Sequence, residues 1–296
     1  MNRRDFVKTG ALGSLAIMAS SCMDMTPSSN YKLGYQLFSI RDKMAIDPMG
    51  TLKQLKAAGY QDFEIYGYDP VKNDIYGFSP KDFKKSLDDL DLSVSSGHYG
   101  FSNYFNASNA ELEKFVDQCI VAAKELNSSY ITWPWLDPSL RTIENFKKLA
   151  PKLNVIGEQV SKAGLGFAYH NHGFEFDNHN GETGYDIILK ETDPELVKLQ
   201  LDMYWVMHSS KKTPKDIVND QSGRVVMWHI KDMDKQTRDY TELGNGSIDY
   251  TKELPDPKKS GLEFFYIEQG GNFAVDSMQS AIDSANYFKE YLKHRL

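Results

Sequence analysis

The chain has few cysteines and no excess of basic residues. Only two of its 296 residues are cysteine, which excludes a disulfide-stabilised scaffold and a cysteine-rich metal site. Cys119 lies on an apolar helical face, so we expect it in the core. Lysine and arginine number 34 against 41 acidic residues, a net charge of −7, whereas a general nucleic-acid binder presents a basic surface.

Beyond the N-terminus, no apolar run approaches the roughly 20 residues that cross a bilayer. Hydrophobic residues make up 41% of the chain, which is enough for a large core.

The first thirty residues have the pattern of an export signal and tether, not of a domain. The twin arginines Arg3-Arg4 precede a mild apolar run over 11–19, which resembles a twin-arginine export signal. The run leads to Cys22 in a segment that resembles a lipoprotein cleavage box, although Ala19 stands where leucine is usual. We therefore expect a periplasmic or membrane-anchored protein with a lipid anchor at Cys22. The alternative is a disordered start with a chance pair of arginines.

Residues 31–296 form one predicted domain in which strand and helix patterns alternate eight times. The strand-like runs are short, and most are rich in β-branched or aromatic residues. They lie at 33–38, 62–66, 92–98, 130–133, 165–171, 197–202, 225–230 and 263–268. Strict alternation gives a parallel sheet, and eight units in a domain of this length predict a closed (β/α)8 TIM barrel. A doubly wound open sheet is the alternative, disfavoured because no Gly-x-Gly-x-x-Gly motif follows the first strand.

Local signals mark the helices between these strands. Asp47 and Ser79 each precede a proline, which is typical of a capping residue followed by the first helical position. Ser108 and Glu111 have the spacing of a capping box. The last helix is predicted from about 276 to 292. A helix often ends at a residue in the left-handed conformation, which glycine adopts most easily. Glycine follows the basic end of a predicted helix at three positions, Gly59, Gly164 and Gly261.

Polar residues at the strand ends are the candidate functional groups, because chemistry in such barrels takes place at the C-terminal ends of the strands. The residues at these ends are Gln36, Glu64, His98, Trp133, His170 with His172, Asp202, His229 and Glu268. Because side chains alternate between the faces of a strand, strands five to eight can all direct their last polar residue into the mouth of the barrel.

Two imidazoles and two carboxylates that converge on one point would form a divalent-metal site. The predicted ligands are His170, Asp202, His229 and Glu268. A mixed nitrogen and oxygen set suits Mn²⁺, Zn²⁺, Co²⁺ or Fe²⁺ better than Ca²⁺, with Mg²⁺ also left open. For each residue taken alone, a hydrogen-bonded core histidine or a helix cap is the simpler interpretation. Their joint occurrence on four consecutive strands favours the metal.

These residues also lie in motifs that resemble a known family. The motifs are Gly-Tyr-Gln-Leu-Phe-Ser-Ile-Arg at 34–41, Phe-Glu-Ile-Tyr at 63–66, Ser-Gly-His at 96–98, Trp-Pro-Trp at 133–135, Tyr-His-Asn-His-Gly-Phe-Glu-Phe at 169–176, Leu-Asp at 201–202, His-Ile-Lys-Asp at 229–232, Gly-Asn-Gly-Ser-Ile-Asp at 244–249 and Ile-Glu at 267–268. In this order they resemble the xylose isomerase-like barrels. They are most similar to the sugar phosphate isomerase/epimerase group, which also holds inosose dehydratase and type 2 apurinic endonucleases. The resemblance covers 31–296.

The resemblance implies one metal ion held on strands five to eight by Glu, Asp, His and Glu in that order. The last three positions fall on Asp202, His229 and Glu268. At the first position this chain has His170, unless Glu175 supplies the carboxylate. Trp205 replaces the histidine of the common Asp-x-x-His pattern. Because the endonucleases need additional histidine ligands, this change and the negative net charge disfavour a role in DNA repair.

The chemistry implied by the resemblance is proton transfer next to the carbonyl group of a sugar. Glu268 is the candidate base, and Glu175, His172 and Lys231 are candidate acids or orienting groups. One clear base favours loss of a β-leaving group or a one-carbon aldose–ketose isomerisation over a symmetric two-base epimerisation. The alternative interpretation of the Lys231-Asp232 pair is structural, as a salt bridge at the end of the strand.

Aromatic residues near the strand ends favour a carbohydrate substrate, because aromatic faces stack on the C–H surfaces of sugars. They are Tyr35, Tyr66, Trp133, Trp135, Phe174, Tyr204 and Trp205. The predicted substrate-binding residues are Gln36, Glu64, His98, Trp133 and Trp205. No glycine-rich phosphate loop is evident, so we expect a free keto-sugar, an inosose or a keto-glycoside. The alternative is a non-catalytic, exported carbohydrate-binding lipoprotein. Whether the protein forms a homo-oligomer is left open.

Overall fold

A closed parallel barrel is the central element of the computed structural model, which describes residues 31–296. The predictions for residues 1–30, including the anchor at Cys22, lie outside the described residues. The barrel strands are β1 (Gly34–Gln36), β2 (Asp62–Tyr66), β3 (Ser93–His98), β4 (Tyr130–Trp133), β5 (Gly166–His170), β6 (Lys198–Asp202), β7 (Val225–Ile230) and β10 (Phe264–Ile267). Each strand pairs in parallel with the next, and β10 closes against β1. The predicted (β/α)8 TIM barrel is confirmed.

Helices and one small hairpin connect the barrel strands. The helices are α1 (Arg41–Met44), α2 (Pro48–Ala58), α3 (Pro80–Asp89), α4 (Asn109–Glu125), α5 (Ile143–Lys162), α6 (Gly184–Glu191), α7 (Met203–Ser209), α8 (Pro214–Asp220), α9 (Tyr250–Glu253), α10 (Pro257–Ser260) and α11 (Ser277–Tyr287). The antiparallel pair β8 (Asp232–Met233) and β9 (Tyr240–Thr241) lies in the connection after β7. None of the helices within 31–296 combines the length and apolar character needed to cross a bilayer.

The predicted capping signals act at the helix ends. Asp47 accepts a hydrogen bond from the amide of Gly50 at 2.9 Å. Glu111 reaches back to the amide of Ser108 at 3.0 Å, which completes the capping box. Gly59 ends α2 with φ of 104°, a left-handed conformation that glycine adopts without strain. The last α-helix ends earlier than predicted, at Tyr287, and a π-helical turn continues the chain to Leu292.

The core has two parts, as barrel geometry requires. Between strands and helices lies a large apolar cluster, which includes the fully buried Cys119 on α4 as expected. Inside the barrel lies a smaller cluster, with Tyr130, Ala168, Val226, Met227 and Tyr266. Inward-facing residues near the C-terminal strand ends are polar instead, so this end of the barrel carries the candidate chemistry.

The loop after β7 is organised by one buried carboxylate, Asp232. Its two oxygens accept hydrogen bonds from four backbone amides, those of Met233, Gly244, Gly246 and Ile248, at 2.8 to 3.2 Å. A salt bridge between Asp232 and Lys231 was one interpretation of the sequence. In the structure Asp232 instead holds the loop, and Lys231 forms ion pairs with other carboxylates.

We expect Asp232→Ala to lower the free energy of unfolding by about 2–4 kcal/mol, because four amides lose a charged acceptor. Urea denaturation followed by circular dichroism measures the change. Asp88→Ala is the matched control, since Asp88 is more than half exposed and pairs only with Lys84 on the surface. Equal midpoints for the two variants and the unaltered protein would contradict this account of the loop.

Candidate active site

A cavity of about 980 Å³ opens at the C-terminal ends of the barrel strands. Polar residues from strands around the barrel reach it, namely His98, His170, His172, Lys231 and Glu268. Aromatic residues form much of its wall, namely Phe38, Tyr66, Trp135, Phe174, Trp205 and Tyr240. The cavity therefore lies where the strand-end argument placed the functional groups.

His229 lies between two carboxylates beneath the cavity. Its Nε2 is 2.7 Å from Glu64 Oε2, and its Nδ1 is 2.5 Å from Glu268 Oε2. Burial by itself would lower the pKa of His229, but Glu64 and Glu268 raise it to about 9. In this arrangement the protonated imidazole donates from both nitrogens, so His229 can bind a metal ion only after it gives up one proton and its bond to one of the carboxylates.

Glu64 supports this imidazole from below rather than facing the cavity. Its oxygens accept hydrogen bonds from Gln36 and Gln200, each at 2.6 Å, and from Ser96 at 2.7 Å. Although burial raises the pKa of Glu64, His98 and His229 lower it well below its usual value. The expectation that Gln36 and Glu64 contact substrate is therefore corrected. Both are fully buried outside the cavity lining. Glu64 contacts His98 and His229, and Gln36 holds Glu64.

Lys231 joins the remaining two carboxylates of the site. Its Nζ lies 2.6 Å from Asp202 Oδ2 and 2.9 Å from Glu268 Oε2. Burial favours the neutral amine, but Asp202 and Glu268 raise the pKa of Lys231 well above its usual value. In turn, Lys231 and His229 lower the pKa of Glu268 despite its burial. Since the ammonium lies between two predicted metal ligands, an ion that binds both carboxylates must displace it.

The donor atoms of the site fit a divalent metal. Ligand atoms of Asp202, His229 and Glu268 lie within 4.8 Å of one another, and so do those of His98, His170 and His229. His170 Nδ1 is buried and has no hydrogen-bond partner within the described residues. The other nitrogen of His170, Nε2, is the one that faces the Asp202 carboxylate, at 3.8 Å from Oδ2. A mixed nitrogen and oxygen set of this kind is typical of Zn²⁺ or Mn²⁺.

Glu175 is turned away from these groups. Its carboxylate is fully buried and accepts hydrogen bonds from Tyr169 Oη and from the amide of His172, both at 2.8 Å. Burial raises the pKa of Glu175 to about 8. Between the two candidates for the first ligand position, the geometry favours His170, which is 3.8 Å from Asp202. Glu175 instead fixes the loop that follows β5.

Among the predicted substrate-binding residues, Trp133 does not reach the cavity. Its neighbour Thr132 points into the barrel, where its hydroxyl lies 3.0 Å from that of Ser96. Strand alternation therefore turns Trp133 outward, where it stacks on Phe101 with ring centres 5.3 Å apart. This corrects the expectation that Trp133 contacts substrate.

His98 and Trp205 do line the cavity. Gln200 contacts Glu64 and His98 and was not among the predicted site residues, although strand alternation puts it on the same face as Asp202. Arg141 and Tyr240 were not predicted either, because Arg141 reaches the cavity from the loop after β4 and Tyr240 from β9 of the hairpin, where no barrel strand ends.

The model of the xylose isomerase-like TIM barrels matches residues 52–262. The chain belongs to this family. A sugar phosphate isomerase/epimerase from Parabacteroides distasonis has a similar structure, with a TM-score of 0.77 and 26% identity over 90% of this chain and 96% of that chain. No curated protein matches the sequence.

Two more distant members of the fold are also similar in structure. The IolI protein, whose structure holds a zinc atom, has a TM-score of 0.69 at 15% identity over 90% of this chain and 99% of its own. L-ribulose 3-epimerase has a TM-score of 0.64 at 14% identity over 89% of this chain and 95% of its own. At these identities the likeness concerns the fold alone.

The raised pKa of Glu175 predicts a pH-dependent stability difference for Glu175→Gln. The folded-state pKa of about 8 exceeds the value of 4.5 for an unperturbed glutamate, so the contribution of Glu175 is fully present below pH 4.5 and is lost as the pH rises to about 8. A glutamine accepts from the His172 amide and donates to Tyr169 without ionising. The variant should therefore gain about 1 kcal/mol per pH unit over the unaltered protein in this range.

Denaturation curves at pH 5, 6, 7 and 8 measure this difference. Glu158→Gln is the control, because Glu158 is exposed on α5 and pairs only with Lys162. A constant difference between Glu175→Gln and the unaltered protein across these pH values would show that Glu175 is ionised throughout.

Proposed function

We propose that the chain is a divalent-metal-dependent enzyme that moves a proton next to the carbonyl group of a carbohydrate, as an isomerase, epimerase or lyase. The observation that carries the proposal is Glu268. It is an ionised carboxylate that lines the cavity with the Lys231 ammonium 2.9 Å away. A base beside a cationic hydrogen-bond donor is the pair that proton abstraction next to a carbonyl needs.

Each of the cavity groups has a role in this reaction. Glu268 accepts the proton from carbon. A metal ion on Asp202 and Glu268 would displace the Lys231 ammonium from between them, and the ammonium is then free to stabilise the negative charge that develops on the neighbouring oxygen. His172 also lines the cavity, and burial lowers its pKa well below the usual value, so it is a neutral hydrogen-bond partner for a hydroxyl. A metal ion held by Asp202, His229, Glu268 and His170 would act as a Lewis acid that polarises the substrate carbonyl.

The acidic residues of the cavity favour a one-base reaction. Among the described residues that line it, the carboxylates are Glu268 and Asp177. Asp177 follows Phe174–Phe176, in the loop that leaves β5. Glu64 and Glu175 lie outside the lining, with their oxygens bonded elsewhere. Of the two lining carboxylates, Glu268 is the one paired with the Lys231 ammonium, and this asymmetry supports β-elimination or aldose–ketose isomerisation more than symmetric epimerisation.

The charges around the cavity support an unphosphorylated substrate. Lys231 is already paired with two carboxylates, and Arg141 is enclosed by the rings of Trp135 and Phe174. We therefore propose a free keto-sugar, an inosose or a keto-glycoside as the substrate class.

We expect Glu268→Gln to lower the exchange of substrate hydrogen with solvent by about 10²–10⁴-fold, because the base is lost while the side-chain volume is kept. Proton NMR in D₂O with a panel of keto-sugars, each with added Mn²⁺ or Zn²⁺, measures the exchange.

Asp202→Asn and His229→Ala should lose metal, as measured by elemental analysis after gel filtration. The exposed Glu290→Gln is the control for all three.

Full exchange in Glu268→Gln would refute its role as the base. Equal sugar binding with and without metal, together with no exchange on any substrate, would favour a carbohydrate-binding protein without activity.

We further propose that the protein is exported and lipid-anchored, since Arg3-Arg4 and Cys22 stand in an export-signal pattern. Replacing both arginines by lysine should leave the protein in the cytoplasm, and Cys22→Ser should release it from the membrane fraction. Cell fractionation and immunoblotting measure both. Unchanged distribution of both variants would contradict the proposal.

A further inference from the structure

The cavity is larger than one sugar ring requires. Cavities of about 300–1,000 Å³ hold drug-sized ligands, and at about 980 Å³ this cavity lies at the upper end of that range. A hexose has fewer non-hydrogen atoms than such ligands. A ring that reacts at Glu268 and Lys231 therefore leaves much of the cavity free, including the wall formed by the loops after β4 and β5.

That wall has a rigid aromatic surface, which we call the distal platform and define as Trp135, Arg141 and Phe174. The guanidinium carbon of Arg141 lies 4.2 Å from the ring centre of Trp135 and 3.8 Å from that of Phe174. Arg141 Nε also donates to the carbonyl of Leu136 at 2.9 Å, which fixes the side chain. Trp135 nevertheless remains 41% exposed, so the platform offers a flat apolar face to a ligand.

Three buried polar atoms on cavity-lining residues, two of this wall and one of the adjoining helix α7, have no hydrogen-bond partner among the described residues. They are Arg141 Nη2, His172 Nδ1 and Trp205 Nε1. The ring of His172 is 5.0 Å from that of Trp135 and 5.8 Å from that of Trp205, so these groups belong to one region. Since buried polar atoms usually have a partner, these three are available to a ligand that carries hydroxyl groups.

We infer that the distal platform is a second sugar subsite and that the substrate is a glycoside of at least two rings. One ring presents its carbonyl to Glu268 and Lys231, and the second stacks on Trp135 while its hydroxyls bond to the unpartnered atoms. The carboxylate of Asp177 also lines the cavity, and its negative charge disfavours an anionic second ring. The choice of the reacting ring rests on the proposed function, whereas the subsite rests on the platform itself.

Calorimetric titration of the metal-loaded full chain tests this inference. The probes are D-fructose and two disaccharides with a fructose unit, isomaltulose and lactulose. We expect at least one disaccharide to bind about tenfold more tightly than fructose. Trp135→Ala should weaken that disaccharide about tenfold and fructose less than twofold. The control is Tyr291→Ala, an exposed aromatic near the C-terminus and outside the cavity lining, which should change neither affinity.

Equal affinity for fructose and both disaccharides, or an equal loss for all probes in Trp135→Ala, would overturn the second subsite. Failure of the proposed reaction has a different signature. If a disaccharide binds more tightly than fructose through Trp135 but no substrate exchanges hydrogen with solvent, the subsite is supported and the proposed reaction is refuted. If fructose exchanges hydrogen and a second ring adds no affinity, the reaction is supported and the subsite is refuted.

Discussion

The site depends on a chain of paired charges buried beneath the cavity. It runs from Glu64 through His229, Glu268 and Lys231 to Asp202, and each link is an ion pair of 2.5 to 2.9 Å. A single buried charge without a partner costs several kcal/mol, so none of these groups is stable there alone. The chain contains one more carboxylate than cations even when His229 is protonated, and the excess grows when His229 gives up a proton to bind a metal. Its electrostatic field therefore favours a further cation, which is the physical basis for expecting a metal at this place.

The barrel makes this arrangement possible through strand register. Asp202 on β6 lies beside His229 on β7, and Gln36 on β1 lies beside Glu64 on β2. Ile267, the residue before Glu268, pairs with Ile230, the residue before Lys231. Parallel pairing thus places the ends of the strands at one level. Two buried carboxyl groups then fix the loops around the cavity. Asp232 accepts hydrogen bonds from the loop after β7, and Glu175 accepts one from the loop after β5.

The barrel and the main charged residues were predictable from the sequence because both depend on local pattern. Strand and helix alternation and the capping residues predicted the fold. Strand ends with a polar residue predicted the convergence of Asp202, His229 and Glu268, whose ligand atoms lie within 4.8 Å of one another. These predictions succeeded since a closed parallel barrel brings every C-terminal strand end to one side.

Depth within the barrel and contacts across it were not predictable in this way. Strand β2 continues to Tyr66, so Glu64 lies two residues below the strand end and is buried under the cavity. Trp133 ends its strand but faces the helices, as alternation with Thr132 requires. The pairing of Lys231 joins β6, β10 and the end of β7, and no local pattern encodes a contact between three strands. Arg141 reaches the cavity from the loop after β4, where spacing gives no signal.

Anomalous diffraction from crystals grown with Mn²⁺ tests the central claim most directly. The account predicts one strong peak in contact with Asp202, His229 and Glu268, with the Lys231 ammonium moved from its place between the two carboxylates. A peak enclosed only by His98, His170 and His229, or no peak at this end of the barrel at saturating Mn²⁺, would contradict it.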